Sequence, residues 1–268
     1  MNNILSWSEL IQFNNFSYLD IQNMPQTIIT NDSPPDPKQN FIIAALPATD
    51  YNRVASDLKL VELPLGLTMS ESGDHVKFVH FPISGIVSMV YSLEDGSTSA
   101  TALVGNEGIV GISIFMGGES LPTSTEVQSV GHAYRLSRKV MKQEFSLGGK
   151  LQHLALLYTQ GLLAQTSLVA VCNQHHNLDQ QICRWLLMTL DRLNDNKVVI
   201  THARIGQLLG IRRASVTQVL GQLESDKLIV GARGQITVLK RRELEMRVCE
   251  CYAVVKDEYE RLLTSNRK

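Results

Sequence analysis

The sequence predicts an α+β protein: an N-terminal antiparallel β-roll, then a long dimerising helix, then a C-terminal winged helix-turn-helix. Three patterns indicate this architecture. Short apolar runs between turn residues fill 59–136, a helical pattern continues without turns from 137, and a helix–glycine–helix pattern followed by a hairpin occupies 201–239. With 268 residues, of which 44% are hydrophobic, the chain is long enough for two domains with real cores.

The N-terminal half divides into a lead segment and the roll. Residues 1–39 are polar and proline-rich at their end, so we predict a mobile segment there. A short helix is expected at about 48–58. Within the roll, residues 40–146, Asp95-Gly96 is a hairpin signal. The short spacing between apolar runs leaves little room for helices, which favours an antiparallel roll or barrel.

Residues 147–176 are predicted to form the dimerisation helix. Apolar positions recur there at alternating intervals of four and three, the spacing of a coiled-coil seam. A helix packed on its own domain would show a similar stripe and is the alternative. The stripe consists of Leu147, Leu151, Leu154, Tyr158, Gly161, Gln165, Leu168 and Cys172.

The helix-turn-helix is the sharpest local pattern in the C-terminal domain, residues 177–268. Thr201 is a good N-cap for the first helix, and Gly210 can take the left-handed conformation that ends it. Gly206 is small where two helices must cross closely, and Ile211 fills the corner between them. A plain helical hairpin with a cationic end is the alternative.

The second helix of this pair has a polar face near its N-terminal half, formed by Arg213, Ala214, Thr217 and Gln218. Arginine binds guanine bidentately in the major groove, and glutamine binds adenine in the same way. Two apolar strands follow, and their turn would place Arg233 at the tip of a wing beside a phosphate. We therefore predict a DNA-reading helix with a wing.

The charge distribution agrees with this prediction. The whole chain has a net charge of -1, but residues 198–247 carry an excess of five positive charges. Such an excess suits a surface that neutralises phosphates, although a solvated cationic face would also show it. The cations are Arg204, Arg212, Arg213, Lys227, Arg233, Lys240, Arg241, Arg242 and Arg247.

From about 41 to 263 the chain resembles the catabolite-activator/Fnr (Crp/Fnr) superfamily of bacterial transcription regulators, most strongly at 171–193, in the helix-turn-helix and at 231–245. The resemblance implies a sensory roll, two protomers paired by a long helix, and winged domains that read a palindrome in double-stranded DNA. It also implies contact with RNA polymerase if the protein is an activator. Functional positions carry over as follows: Arg213 matches the arginine that contacts guanine, and Thr201, Arg212 and Ser215 match positions that touch phosphate.

Two departures concern the target sequence. Ala214 stands where the cyclic-AMP-responsive members carry a base-contacting glutamate, and Gln218 stands where they carry a second base-reading arginine. We therefore expect a different DNA target from theirs.

The sensory domain departs further from the family pattern. Residues 103–120 resemble the phosphate-binding cassette, in which Glu107 matches the glutamate that holds a ribose hydroxyl. Ser124 replaces the arginine that pairs with the cyclic phosphate, and burying a phosphate without a cation is costly. We therefore do not expect cyclic AMP, and no other cofactor is evident. A different ligand, a protein partner and no ligand all remain open.

No metal site is predicted. No cysteine occurs in the first 171 residues, so an N-terminal iron–sulfur cluster is not expected, and the low cysteine count favours a reducing cytoplasm. We also find no signal peptide and no long uncharged apolar run, so a cytoplasmic protein without membrane contact is expected. Cys172, His175, His176 and Cys183 match no standard zinc-finger spacing, so structural or surface roles are preferred for them. Cys249 and Cys251 are one residue apart, and core packing is preferred for them.

Two rival functions share parts of this sequence pattern. A cupin-like metalloenzyme would need two histidines one residue apart on one strand face, whereas His75 and His80 are five apart, with Glu119 and His132 as the other candidates. No nucleotide-binding loop or nucleophile motif is present, so no catalytic residue and no enzyme activity are predicted. The second rival is a ligand-sensing protein that acts through protein contacts.

Overall fold

The computed structural model describes residues 34–193 and 195–263. Two antiparallel sheets form the roll: one has the order β1-β7-β3 and the other the order β2-β6-β4-β5. The predicted β-roll is confirmed. Its strands are β1 (Lys59–Leu63), β2 (Thr68–Ser70), β3 (Phe78–Pro82), β4 (Ile86–Ser92), β5 (Thr98–Val104), β6 (Ser124–Ser129) and β7 (Gly131–Ser137).

The chain just before the roll is folded from Pro35 onward, which corrects the predicted mobile segment for residues 35–39. The Tyr134 hydroxyl donates to the Pro35 carbonyl at 2.6 Å, and the buried Asn40 amide donates to the Pro82 carbonyl at 2.9 Å. Residues 1–33 lie outside the described part. The elements packed around the strands are a 3-10 turn (Pro37–Gln39), α1 (Phe41–Ala44), α2 (Ala48–Val54), α3 (Ser113–Met116) and α4 (Arg138–Ser146).

The long helix α5 (Lys150–His175) uses the predicted seam for its own fold, so assigning that stripe to a partner helix was wrong. From Leu151 onward the stripe packs on β5 and on the last helix, α10 (Cys251–Leu263), whereas Leu147 precedes α5 and is 61% exposed. A Cβ on Gly161 would lie 2.9 Å from the Tyr259 ring, so glycine lets α10 approach. The Gln165 amide donates to the Leu103 carbonyl at 3.2 Å. For the face that carries this stripe, the alternative prediction of a helix packed on its own domain is confirmed.

By length and composition alone, helix α5 is the one helix in the described residues that could cross a membrane. In this fold one of its faces lies in the core, where Leu154 and Tyr158 are almost fully buried. The structure therefore uses α5 as a core helix.

The C-terminal domain begins directly after α5. Its three-stranded sheet has the order β8-β10-β9, in which β9 and β10 form the predicted wing hairpin and β8 was not predicted. One continuous hydrophobic core runs from the roll through α5 into this domain. The remaining elements are α6 (Leu178–Leu190), β8 (Lys197–Val199), α7 (His202–Leu209), α8 (Arg213–Ser225), β9 (Ile229–Ala232), β10 (Gln235–Val238) and α9 (Arg241–Arg247).

Candidate nucleic-acid interface

The turn between α7 and α8 has the geometry that the sequence predicts. The Thr201 hydroxyl accepts a hydrogen bond from the Arg204 backbone N–H at 3.2 Å, which caps α7. Gly210 ends α7 in the left-handed region, with φ 68° and ψ 30°. A Cβ on Gly206 would lie only 2.7 Å from the Ile211 carbonyl oxygen. Gly210 is therefore favoured by its positive φ, and Gly206 by the close approach of the Ile211 backbone.

Helix α8 separates a buried face from an exposed face. Val216, Leu220 and Leu223 are buried against the domain. Arg213 and Gln218 are exposed on the other side, in the first half of the helix, where a recognition helix meets base edges. This half of α8 is the candidate reading surface.

The cations at the start of α8 are available for a partner. Arg212 is the N-cap residue and Arg213 is the first helical residue, and both are exposed. Within the described residues neither has an ion-pair partner. Ser215, half-buried in the first turn, lies close to them in sequence. Three of the positions predicted to touch phosphate or guanine thus lie at one helix end, whereas Thr201 caps α7 and Arg233 lies on the wing.

Thr217 is held in place by a residue that the sequence analysis missed. Its hydroxyl donates to the Arg213 carbonyl at 3.1 Å and lies 3.0 Å from Nδ1 of His202 in α7. His202 therefore links the two helices and orients Thr217. Its place directly after the N-cap was the available signal, but only the helix crossing shows the contact.

The wing places Arg233 as predicted, in a two-residue turn between β9 and β10. Gly234 completes this turn with φ 72°, a conformation that glycine adopts at little cost. Arg233 is exposed there. The turn can therefore present the Arg233 guanidinium to a phosphate of the DNA backbone.

The structure reduces the positive charge that is free for DNA. Among the described residues, at least four of the nine counted cations form ion pairs with carboxylates inside the protein. Arg212 and Arg213 at the start of α8 are not among these four. The paired cations are Arg204 with Glu126 at 2.6 Å, Lys240 with Glu243 at 3.0 Å, Arg241 with Asp191 and Glu245, and Arg247 with Asp179 and Asp226.

The helix-turn-helix also touches the roll directly. Helix α7 packs on β5, where the Thr98 hydroxyl donates to the Gln207 carbonyl at 3.2 Å. The Arg204–Glu126 pair joins α7 to β6 beside it. A change in the roll can therefore act on the reading helices through contacts as well as through α5.

Glu107, the candidate ribose ligand, is already engaged by the protein. Its carboxylate accepts from Nε of Arg192 at 2.8 Å and from the Gly105 N–H at 3.1 Å. The Arg192 guanidinium also donates to the Met188 carbonyl at 2.8 Å. Both side chains are largely buried, at 7% exposure for Arg192 and 12% for Glu107. The cassette glutamate thus joins the roll to the C-terminal domain.

The roll does contain a small cavity, but its lining does not suit a cyclic nucleotide. Its volume is about 10 Å³, room for roughly one water molecule. Glu71, Thr123 and Thr125 contribute polar groups, and no lysine or arginine lines it among the described residues. Ser124, which replaces the cassette arginine, donates its hydroxyl to the Val90 carbonyl at 3.3 Å. A buried phosphate would find a carboxylate there and no cation.

The candidate cupin ligands do not form one site. Nδ1 of His75 lies 3.4 Å from Glu119, whose carboxylate also pairs with Lys142 at 2.8 Å. His80 lies in β3, and His132 lies in β7 opposite Glu62 of β1. Glu119 is therefore neutralised by cations, as a surface carboxylate commonly is.

Two family models match the chain. Residues 180–247 match the Crp-like helix-turn-helix domain, and residues 60–146 match the cyclic nucleotide-binding domain. No curated protein matches the chain at a significant level.

Many solved structures share the fold. A transcriptional regulator of the Crp/Fnr family from Eubacterium rectale is 16% identical, with a TM-score of 0.61 over 76% of this chain and 95% of that one. FixK2 from Bradyrhizobium japonicum is 17% identical, with a TM-score of 0.63 over 72% and 98%. A Crp-family regulator from Thermus thermophilus, TTHB099, is 20% identical, with a TM-score of 0.58 over 70% and 95%.

Proposed function

Because the chain belongs to the Crp/Fnr superfamily of DNA-binding transcription regulators, we propose that it binds a pseudo-palindromic site as a homodimer. Two α8 helices would then enter successive major grooves about 34 Å apart. Double-stranded DNA and a second copy are its partners, with RNA polymerase as a third if it activates. We assign it no catalytic step, and its place of action is the cytoplasm, with the chromosome.

The observation that carries this proposal is the exposed Arg213 at the start of α8, which has no ion-pair partner within the described residues, with Gln218 about 1.4 turns further along the same helix. Arg213 fits a guanine and Gln218 fits an adenine. Thr201, Arg212, Ser215 and Arg233 are proposed to contact phosphates, and Thr217 to complete the base-facing surface. This assignment gives each exposed polar side chain of α8 near the turn a role in reading or positioning.

The exposed face of α5 supports the homodimer. Opposite the stripe that is buried in the protomer lie Leu156, Leu163 and Val171, which are 46%, 63% and 47% exposed. Leu156 and Leu163 are seven residues apart, and the exposed His153 and Gln160 complete a three-and-four spacing with them. A second α5 with the same face would cover these apolar side chains.

We propose that the sensory domain responds to a signal other than a cyclic nucleotide. The cavity without a cation and the engagement of Glu107 by Arg192 both support this. A signal that moves the cassette loop would act on Arg192 and so on the C-terminal domain, shifting the population of two dimer arrangements.

The test compares specific and random DNA. A site selected from random duplexes is used to measure the Kd of the wild type and of Arg213→Ala by fluorescence anisotropy. We expect the variant to lose about 1–3 kcal/mol on the selected site and much less on a scrambled duplex. Arg261→Ala, an exposed arginine on α10, is the matched control and should bind like the wild type.

The salt dependence separates base contacts from phosphate contacts in the same experiment. Arg233→Ala should lower the slope of log K against log salt by about one unit if it neutralises one phosphate. Equal losses for Arg213→Ala on both duplexes would make Arg213 a phosphate contact. Failure to bind any duplex at low salt would refute the proposal and leave a sensor that acts through protein contacts.

A further inference from the structure

Four potential metal ligands converge where α5 ends and α10 begins. Cys172 comes from the last turn of α5 and His176 is its C-cap, while Cys249 lies in the loop just before α10 and Cys251 is the first residue of α10. The ligand atoms all lie within 4.8 Å of one another. The three cysteines are at most 3% exposed. The fold thus brings two pairs of residues that are distant in sequence, Cys172 with His176 and Cys249 with Cys251, into one cluster of three sulfurs and one imidazole.

Two distances between the ligand atoms match the edges of a tetrahedral zinc site. Sγ of Cys172 lies 3.6 Å from Sγ of Cys249, and Sγ of Cys251 lies 3.6 Å from Nδ1 of His176. Zinc–ligand bonds of about 2.3 Å to sulfur and 2.0–2.1 Å to nitrogen give edges of about 3.8 Å and 3.6 Å. Three cysteines and one histidine are, moreover, a usual donor set of structural zinc sites.

The surroundings also fit a bound cation with thiolate ligands. The other imidazole nitrogen, Nε2 of His176, lies 3.4 Å from the Glu250 carboxylate, the kind of partner that orients a metal-bound histidine. Arg184 is only 3% exposed, and its Nε donates to Sγ of Cys172 at 3.2 Å. Its Nη1 faces the Met188 sulfur at 3.5 Å.

Arg184 provides a second, independent argument. Within the described residues no carboxylate pairs with this buried guanidinium, and a buried charge without a counter-charge is costly. Three thiolates around Zn²⁺ carry a net charge of -1, which the charge of Arg184 balances. With neutral thiols alone, the arginine would face sulfur atoms that are weak acceptors.

We propose that Cys172, His176, Cys249 and Cys251 bind one structural zinc ion that joins the end of the long helix to the last helix. This revises the expectation of no metal site. It shares Cys172 and His176 with the rejected zinc set but replaces His175 and Cys183. The ion would fix the junction from which the chain enters the winged domain. The proposal does not depend on the DNA site.

The direct test is the metal content of the wild type. The untagged full-length chain is purified under reducing conditions from zinc-supplemented cells, and its metals are measured by mass spectrometry. We expect one zinc per chain. Replacement of zinc by Co²⁺ should give the visible bands of a tetrahedral ion with thiolate ligands. Extraction by a chelator should lower Tm, because a ligand of the folded state stabilises it.

Variants then assign the ligands. Cys249→Ser should release zinc to a chromophoric chelator far more readily than the wild type. Glu250→Gln, which removes only the partner of the histidine, should weaken zinc binding by about 10–100-fold. Cys183→Ser, a buried cysteine in α6 outside the cluster, is the matched control and should keep zinc. Because Glu250 is exposed, its variant stays informative if Cys249→Ser fails to fold.

Three results would overturn the proposal. The first is a wild type that retains no zinc after supplementation, with thiols that react equally fast before and after chelation. The second is undiminished zinc in both Cys249→Ser and Glu250→Gln. The third is the loss of two thiols on mild oxidation without any bound metal, which would show a Cys172–Cys249 disulfide pair instead.

Discussion

Glu107 and Arg192 form a buried ion pair whose loss should be costly. In Glu107→Ala, Arg192 would keep its charge at 7% side-chain exposure without its carboxylate. Breaking a buried pair from one side costs about 3–5 kcal/mol, and we expect the free energy of unfolding in urea to fall by that amount. The control is Glu243→Ala, which removes an exposed pair with Lys240 and should cost less than about 1 kcal/mol. Similar losses in the two variants would contradict the prediction.

The side chain of His80 should make the free energy of unfolding depend on pH. Burial, and secondly the charge of Arg135, lower its pKa to about 4, whereas an unfolded histidine titrates near 6.5. Below pH 6.5 His80 therefore binds a proton in the unfolded chain but stays neutral in the folded chain. The contribution of His80 to the free energy of unfolding is fully present above pH 6.5. It falls by up to about 3 kcal/mol as the pH decreases toward 4.

Urea unfolding at pH 7.5, 6.5 and 5.5 would measure this contribution. We expect His80→Gln to have a flatter profile than the wild type over this range, because it removes the titrating group. The difference isolates His80 from carboxylates, which titrate at lower pH. Parallel profiles for the two proteins would refute the assignment.

At the scale of elements, two glycines of the helix-turn-helix make opposite predictions. A Cβ at Gly206 would lie 2.7 Å from the backbone oxygen of Ile211, whereas one at Gly221 of α8 would meet nothing within 4 Å. Gly206→Ala should force the helices apart and cost about 1–3 kcal/mol. Gly221→Ala should stabilise by up to about 1 kcal/mol through helix propensity. Thermal unfolding of both variants checks this, and an unchanged Tm for Gly206→Ala would contradict the close crossing.

Elements with local signals could be predicted from the sequence, and those defined by tertiary contacts could not. The cap at Thr201 and the left-handed Gly210 are set by neighbours within a few residues, so the helix-turn-helix was recognised. Helix α5 is apolar on two faces, and periodicity alone cannot say which face a partner covers. Gly161 and Gln165 were the available signal, because a glycine and a glutamine suit a specific crossing better than a uniform seam.

The same distinction explains the candidate sites. The exposed position of Arg213 could be predicted because one helix end defines it, and its contact with DNA stays a prediction. The four proposed zinc ligands could not be predicted, because Cys172 and Cys249 are 77 residues apart in sequence and no standard spacing connects them. Glu107 was predicted as a ligand contact, yet Arg192, distant in sequence, engages it. Sites assembled across elements thus need the fold before their chemistry can be interpreted.

At the scale of the whole molecule, the proposed homodimer depends on the exposed face of α5. Leu163 is 63% exposed at the middle of that face. In Leu163→Glu two carboxylates would meet across the paired helices, where desolvation and like charge both oppose association. We expect sedimentation equilibrium to show a monomer, and binding to a palindromic site to fall to the level of one half-site.

The matched control for the dimer is Leu93→Glu, which changes an apolar side chain of similar exposure, 57%, in the hairpin after β4. This variant should remain a dimer, because the hairpin is not part of the exposed α5 face. A dimeric Leu163→Glu with full DNA affinity would show that protomers associate elsewhere. The spacing of the two α8 helices would then have to come from another surface, since only a fixed separation near one helical turn lets both reach successive major grooves.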